Sequence, residues 1–106
     1  MLDLSLSRPQ EIVRLLCERL RQERLSQQIT QAELALRAGV GVNTVSNLEQ
    51  GRNVAVETLV RVAMVLGRGR ELEALFAPQI DSLVDLQRYE TNRERQRVKR
   101  GSGDGR

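Results

Sequence analysis

Apolar residues recur at helical spacing along most of the first 76 positions, with polar residues between them. Behind Pro9, which suits the first turn of a helix, Ile12, Leu15, Leu16 and Leu20 form an i, i+3, i+4, i+8 stripe and predict helix 1. Leu34, Ala35 and Ala38 mark a second helix, and Val45 and Leu48 a third. Leu59, Val62, Ala63 and Leu66 mark a fourth that stops at Gly67. A fifth is expected from about Arg70 to Phe76, burying Leu72, Leu75 and Phe76 and ending before Pro78. The pattern therefore predicts an all-α, compact five-helix unit. Beyond it, Ile80, Leu83, Val84 and Leu86 form an apolar patch whose secondary structure the spacing leaves open.

The middle of the chain, QAELALRAGVGVNTVSNLEQGR from Gln31 to Arg52, is the most specified segment. Thr30 followed by Glu33 three residues later is a capping box, so helix 2 starts at about Gln31. Ala35 is small enough to let the next helix pass close by. Gly39 supplies the left-handed conformation that ends a helix without a Cβ clash, and Val40 plugs the corner. A helix from about Val42 to Glu49 then turns Val45 and Leu48 inward, leaving Val42, Asn43, Ser46, Asn47 and Gln50 outward. Two short helices joined in this way can lay the second into a DNA major groove. The outward strip is polar, short-chained and uncharged, which suits base edges. The positive N-terminal end of helix 2 at Gln31 suits a phosphate, to which the Gln31 amide adds a donor.

These residues resemble the helix-turn-helix of the lambda-repressor-like (Xre) family of DNA-binding regulators. The likeness extends to Glu49 and Gly51, upstream through CERLRQERLSQQIT as the family's first helix, and downstream through VETLVRVAMVLG as its fourth, covering roughly Glu11 to Phe76. The resemblance implies that Val42, Asn43, Ser46 and Asn47 face bases. It further implies that Gln31, Arg37, Thr44, Gln50, Arg52 and Asn53 meet the phosphate backbone, and that Arg24 pairs with Glu49 to tie helix 3 to helix 1. Asn suits adenine N6 and N7, and Val a thymine methyl, so the expected readout favours A·T pairs. The chain departs from the family at Gly41, a weaker cap for the recognition helix than Ser or Thr, and at Ala55, where Asn53 is expected to take over the capping of helix 4.

Composition narrows the picture. In 106 residues, 40% are hydrophobic with one Phe, one Tyr and no Trp, as expected of an aliphatic helical core. No histidine and a single cysteine exclude a Cys/His zinc site, a histidine base and an internal disulfide; Cys17 is expected as a partly buried core thiol. There is no nucleophile with a base at recognisable spacing and no phosphate loop, and Gly67 and Gly69 in LGRGRE read as a helix stop and a connector. Neither an enzyme nor a cofactor is expected. No apolar run reaches the roughly 20 residues of a membrane span and no signal peptide is visible, so a cytoplasmic protein is expected.

Of the net charge of +3, the part from Gln87 onward carries seven basic and three acidic residues, leaving the rest of the chain at −1. Specificity in such a domain depends on a few well-placed groups. The expected organisation is a DNA-binding domain over 1–78, an apolar extension over 79–89 offering a dimer or partner surface at Ile80, Leu83, Val84 and Leu86, and a flexible, disordered basic tail over 90–106 that adds phosphate attraction. The leading expectation is a homodimeric repressor of a double-stranded DNA operator. The alternative is an antitoxin: one small domain, a LEALFAP-type apolar end and a short basic tail resemble the antitoxins that accompany HipA-type kinase toxins, which bind their own promoter and also neutralise a toxin.

Overall fold

Pro9 fixes the first turn of an 18-residue helix, α1 (Pro9–Ser26), and capping signals divide the next stretch into short helices: α2 (Gln31–Ala38), α3 (Val42–Glu49), α4 (Val56–Val65) and α5 (Gly69–Ala74). A longer helix, α6 (Leu83–Gly103), comes last, and a single 3-10 turn at Leu4–Leu6 precedes α1. The structure, a computed structural model, describes residues 4–80 and 82–103, with side chains described over 5–80 and 82–96. Among the described residues there are six α-helices, one more than the five expected, and no strand. The chain divides into two units, one ending at Ala74 and the other starting at Leu75, where the sequence pattern places the boundary after residue 78.

In the first unit α2 packs against both α3 and α4, and α1 closes over α3. Leu34, Val45, Leu48, Val62 and Cys17 are the largest fully buried side chains, joined by Ala35 and Ala38 where the helices cross. Each large aliphatic group so buried contributes roughly 1.5–3 kcal/mol relative to exposure. Burial raises the Cys17 thiol pKa, which keeps the sulfur protonated and unreactive. The centre of the buried face of α1 runs through Val13, Cys17, Leu20 and Arg24, spaced i, i+4, i+7, i+11. That face is rotated from the expected stripe, so Ile12 and Leu15 are half-buried and Leu16 is exposed.

The helix ends are tied as their sequence dictates. Thr30 Oγ1 accepts from the Glu33 amide at 3.1 Å, and Gly39 ends α2 at φ +72°, with the Val40 N–H donating to the Ala35 carbonyl at 3.0 Å. Side chains from other helices satisfy orphaned carbonyls at two helix ends. Arg61 donates to the Ala38 carbonyl from α4, and Gln27 donates to the Leu66 carbonyl at 2.8 Å from the end of α1. Arg68 bridges Glu23 on α1 and Glu71 on α5. Both carboxyls lie below their ordinary pKa, Glu23 through its hydrogen bonds from Gln27 and Arg68, and Glu71 through Arg68.

Two expectations are corrected. Asn53 does not cap α4, which starts behind Ala55 with no side-chain cap; Asn53 instead takes a left-handed conformation at φ +47°, which asparagine tolerates. Helix α5 ends at Ala74, short of the expected Phe76. Leu75 and Phe76 therefore lie beyond it, Phe76 at φ +57°, and they are exposed at 55% and 95% rather than buried. Helix α6 runs to Gly103, into the stretch from residue 90 expected as a flexible tail. Ser82 Oγ accepts from the Asp85 amide at its start, and no glycine or proline interrupts the sequence from Leu83 to Arg100. The basic side chains of Arg97, Lys99, Arg100 and Arg106 lie outside the described side chains. Ile80, just before α6, and Leu83, Val84 and Leu86 in its first turn are all exposed.

Candidate nucleic-acid interface

One face of α3 is fixed and the other is free. Val45 and Leu48 are buried against the core, and Glu49 is 6% exposed beside Arg24 at 7%. Arg24 Nε donates to Glu49 Oε2 at 2.6 Å and Nη2 to Oε1 at 3.1 Å, a two-pronged pairing that fits the planar guanidinium to the carboxylate. Arg24 Nη1 also donates to the Ile29 carbonyl at 2.7 Å, so the same side chain holds the turn between α1 and α2. Gln31 Nε2 donates to Glu49 Oε1 at 2.8 Å. Charge and hydrogen-bonding capacity are thus satisfied within the group, as a buried ion pair requires. Helix α3 is bolted to α1 and to the start of α2 through Glu49.

The free face carries Val42, Asn43 and Thr44, all exposed, with Ser46 and Asn47 half-buried and Gln50 exposed after the last turn. The side chains of Asn43, Thr44 and Asn47 make no hydrogen bond within the described structure, so their donors and acceptors are available. Gln50 Nε2 reaches Ser46 Oγ at 3.4 Å, a long contact one turn apart on the same strip. Helix α3 begins behind Gly41 with no side-chain cap, which leaves the amides of its first turn open as well.

Beside this strip runs an open groove of about 840 Å³ between α1 and the end of α3. It brings together Gln31, Ser46, Gln50, Arg52 and Asn53. Its near wall turns sharply: Gly51 sits at φ +72°, and a Cβ built there would lie 3.0 Å from Arg14 Cγ. Only glycine fits both the backbone angle and that approach. The Gly51 N–H donates to the Leu48 carbonyl at 2.9 Å and that of Arg52 to the Asn47 carbonyl at 2.8 Å, which closes α3 and sets Arg52 and Asn53 on the rim.

Two sequence-derived sites sit differently from the simplest expectation. Gln31, expected to offer its amide to a phosphate, spends one N–H of that amide on Glu49. Arg37 is exposed on α2 and pairs with Glu33 at 3.6 Å, and it does not line the groove. Conversely, the far wall is built from Gln10, Arg14, Glu18 and Arg21, none of which the sequence motifs single out. Their spacing of i, i+4, i+8 and i+11 is a polar stripe on α1 that is visible in the sequence, but only the fold reveals what it faces.

A family model described as helix-turn-helix matches residues 20–72, half of the chain, from the middle of α1 to α5. No curated protein matches the chain. The match spans every residue of α2, α3 and α4 and leaves Gln10 and Arg14 outside it.

Proposed function

Since the chain belongs to the lambda-repressor-like helix-turn-helix family, a family of DNA-binding domains in transcription regulators, we propose that it is a sequence-specific repressor that reads an operator through α3. One observation carries this reading: α3 presents the unpartnered side chains of Asn43 and Asn47 on a helix whose other face is locked by Val45, Leu48 and the Arg24–Glu49 pair. A helix locked on its other face carries these free side chains to base edges with little backbone left to order on binding. In this reading Val42, Asn43, Ser46 and Asn47 lie against base edges. Gln31, Thr44, Gln50, Arg52 and Asn53 hold the backbone on either side, and Arg37 reaches it from α2.

The repressor acts as a homodimer on a near-palindromic site, with its two recognition helices about 34 Å apart. The exposed Ile80, Leu83, Val84 and Leu86 supply the dimer contact. Selection of bound duplexes from random sequence, with analytical ultracentrifugation of the complex, tests both parts. Two inverted half-sites one helical turn apart and two chains per duplex are expected. A pool that shows no enriched sequence would overturn the reading.

A second reading, an antitoxin that also neutralises a HipA-like kinase, is favoured by the exposure of Leu75 and Phe76, two large apolar side chains directly after α5. Its test is co-purification with a kinase-like protein that is lost on Phe76→Ser. Binding to DNA alone, with no such protein captured, leaves the repressor as the whole function.

A further inference from the structure

Five of the ten arginines with described side chains in the first unit are already committed. Arg21 pairs with Glu18, Arg24 with Glu49, Arg37 with Glu33, Arg61 with Glu57, and Arg68 with Glu23 and Glu71. Arg14 and Arg52 are not: neither has an ion pair or side-chain hydrogen bond among the described residues, and both line the groove beside α3. Gly51 lets the turn after α3 come against the stem of Arg14, which places a free cation from α1 in the same groove as Arg52. An open, polar groove with two uncompensated guanidiniums beside a base-reading strip suits the oxygens of a phosphodiester.

We infer that Arg14 is a DNA-positioning residue: it binds a backbone phosphate together with Arg52, so that the part of α1 preceding the family-matched segment extends the protein's grip on the duplex. This role rests on the proposed DNA-binding function. Arg14 stands on α1, outside the exposed strip of α3, so its part is to hold the backbone and not to read bases. Its contribution is equal on every sequence and is removed by salt.

The test is the salt dependence of duplex binding by the full chain, measured on the selected operator and on an unrelated duplex. Arg14→Gln keeps most of the aliphatic stem beside Gly51 and removes the charge. It is expected to weaken both duplexes by the same factor and to reduce the slope of log K against log salt by about 0.9, the release expected for one phosphate contact. Arg14→Lys is expected to retain the slope. Arg19→Gln, an exposed and unpaired arginine on α1 that does not line the groove, is the control and is expected to match the parent. A parent-like slope for Arg14→Gln, at an unchanged thermal midpoint, overturns the inference while leaving the DNA-binding reading intact. If the parent chain itself binds no duplex, both fall together, and that is seen before any variant is compared.

Discussion

Between Cys17 and Leu66 ten apolar side chains are buried, and α2, α3 and α4 are only 8, 8 and 10 residues long. From Leu75 to Gln96 no described residue is buried, yet α6 runs for 21 residues. Helices as short as α2 and α3 are marginal in isolation, so they exist because they pack, α2 with both ends capped and α3 with only its C-terminal end closed by the turn at Gly51. Helix α6 has the opposite basis: length, a serine cap and an uninterrupted run of residues that favour or tolerate helix. The first arrangement yields a helix held in one orientation with a free polar strip on its outer face. The second yields exposed apolar residues, Leu83 and Val84 among them, whose use depends on association.

The contrast is broken most severely through the Arg24–Glu49 pair. Arg24→Ala strands Glu49 in the core and is expected to destabilise the first unit by about 3–5 kcal/mol. A domain of this size would then melt at least roughly 10 °C lower. An unchanged midpoint would mean that the pair is screened by solvent and does not anchor α3.

A pair of leucines compares the two units directly. Leu48→Ala removes a side chain 1% exposed and is expected to cost about 2–5 kcal/mol. Leu86→Ala, at 37% exposure on α6, should stay within about 0.5 kcal/mol in dilute solution. If Leu86→Ala proved as costly as Leu48→Ala, α6 would be held by tertiary packing and the distinction between the two units would fail. Between these extremes, Gly51→Ala meets both the left-handed backbone and the approach of Arg14 and is expected to cost about 1–2 kcal/mol, read by denaturant midpoint.

The same division separates the features legible in the sequence from those that are not. Local devices are readable: Thr30 as a cap, Gly39 and Gly67 as stops, and the inward turn of Val45 and Leu48. Each depends on neighbours within a few residues, and the structure places these groups accordingly. The differences arise where a residue's fate depends on distant partners or on where a helix stops. Leu75 and Phe76 look like core because they are apolar and follow a helical run, but α5 has already ended. Leu16 fits the stripe of α1 by spacing, but the face turned to the core centres on Cys17. Asn53 is a good capping residue by type, yet the tight exit from α3 uses it for a left-handed turn. Arg14 belongs to the same group, since only the fold brings its stem against Gly51 and into the groove.

In the proposed function the free face of α3 selects bases while the residues after it hold the backbone. Binding of Asn43→Ala and Arg52→Ala to a panel of singly mutated operators tests it most directly. Asn43→Ala is expected to lose roughly 1–3 kcal/mol of discrimination at one base pair, whereas Arg52→Ala should weaken every sequence alike. Identical profiles for the two variants would mean that the free face of α3 does not read bases.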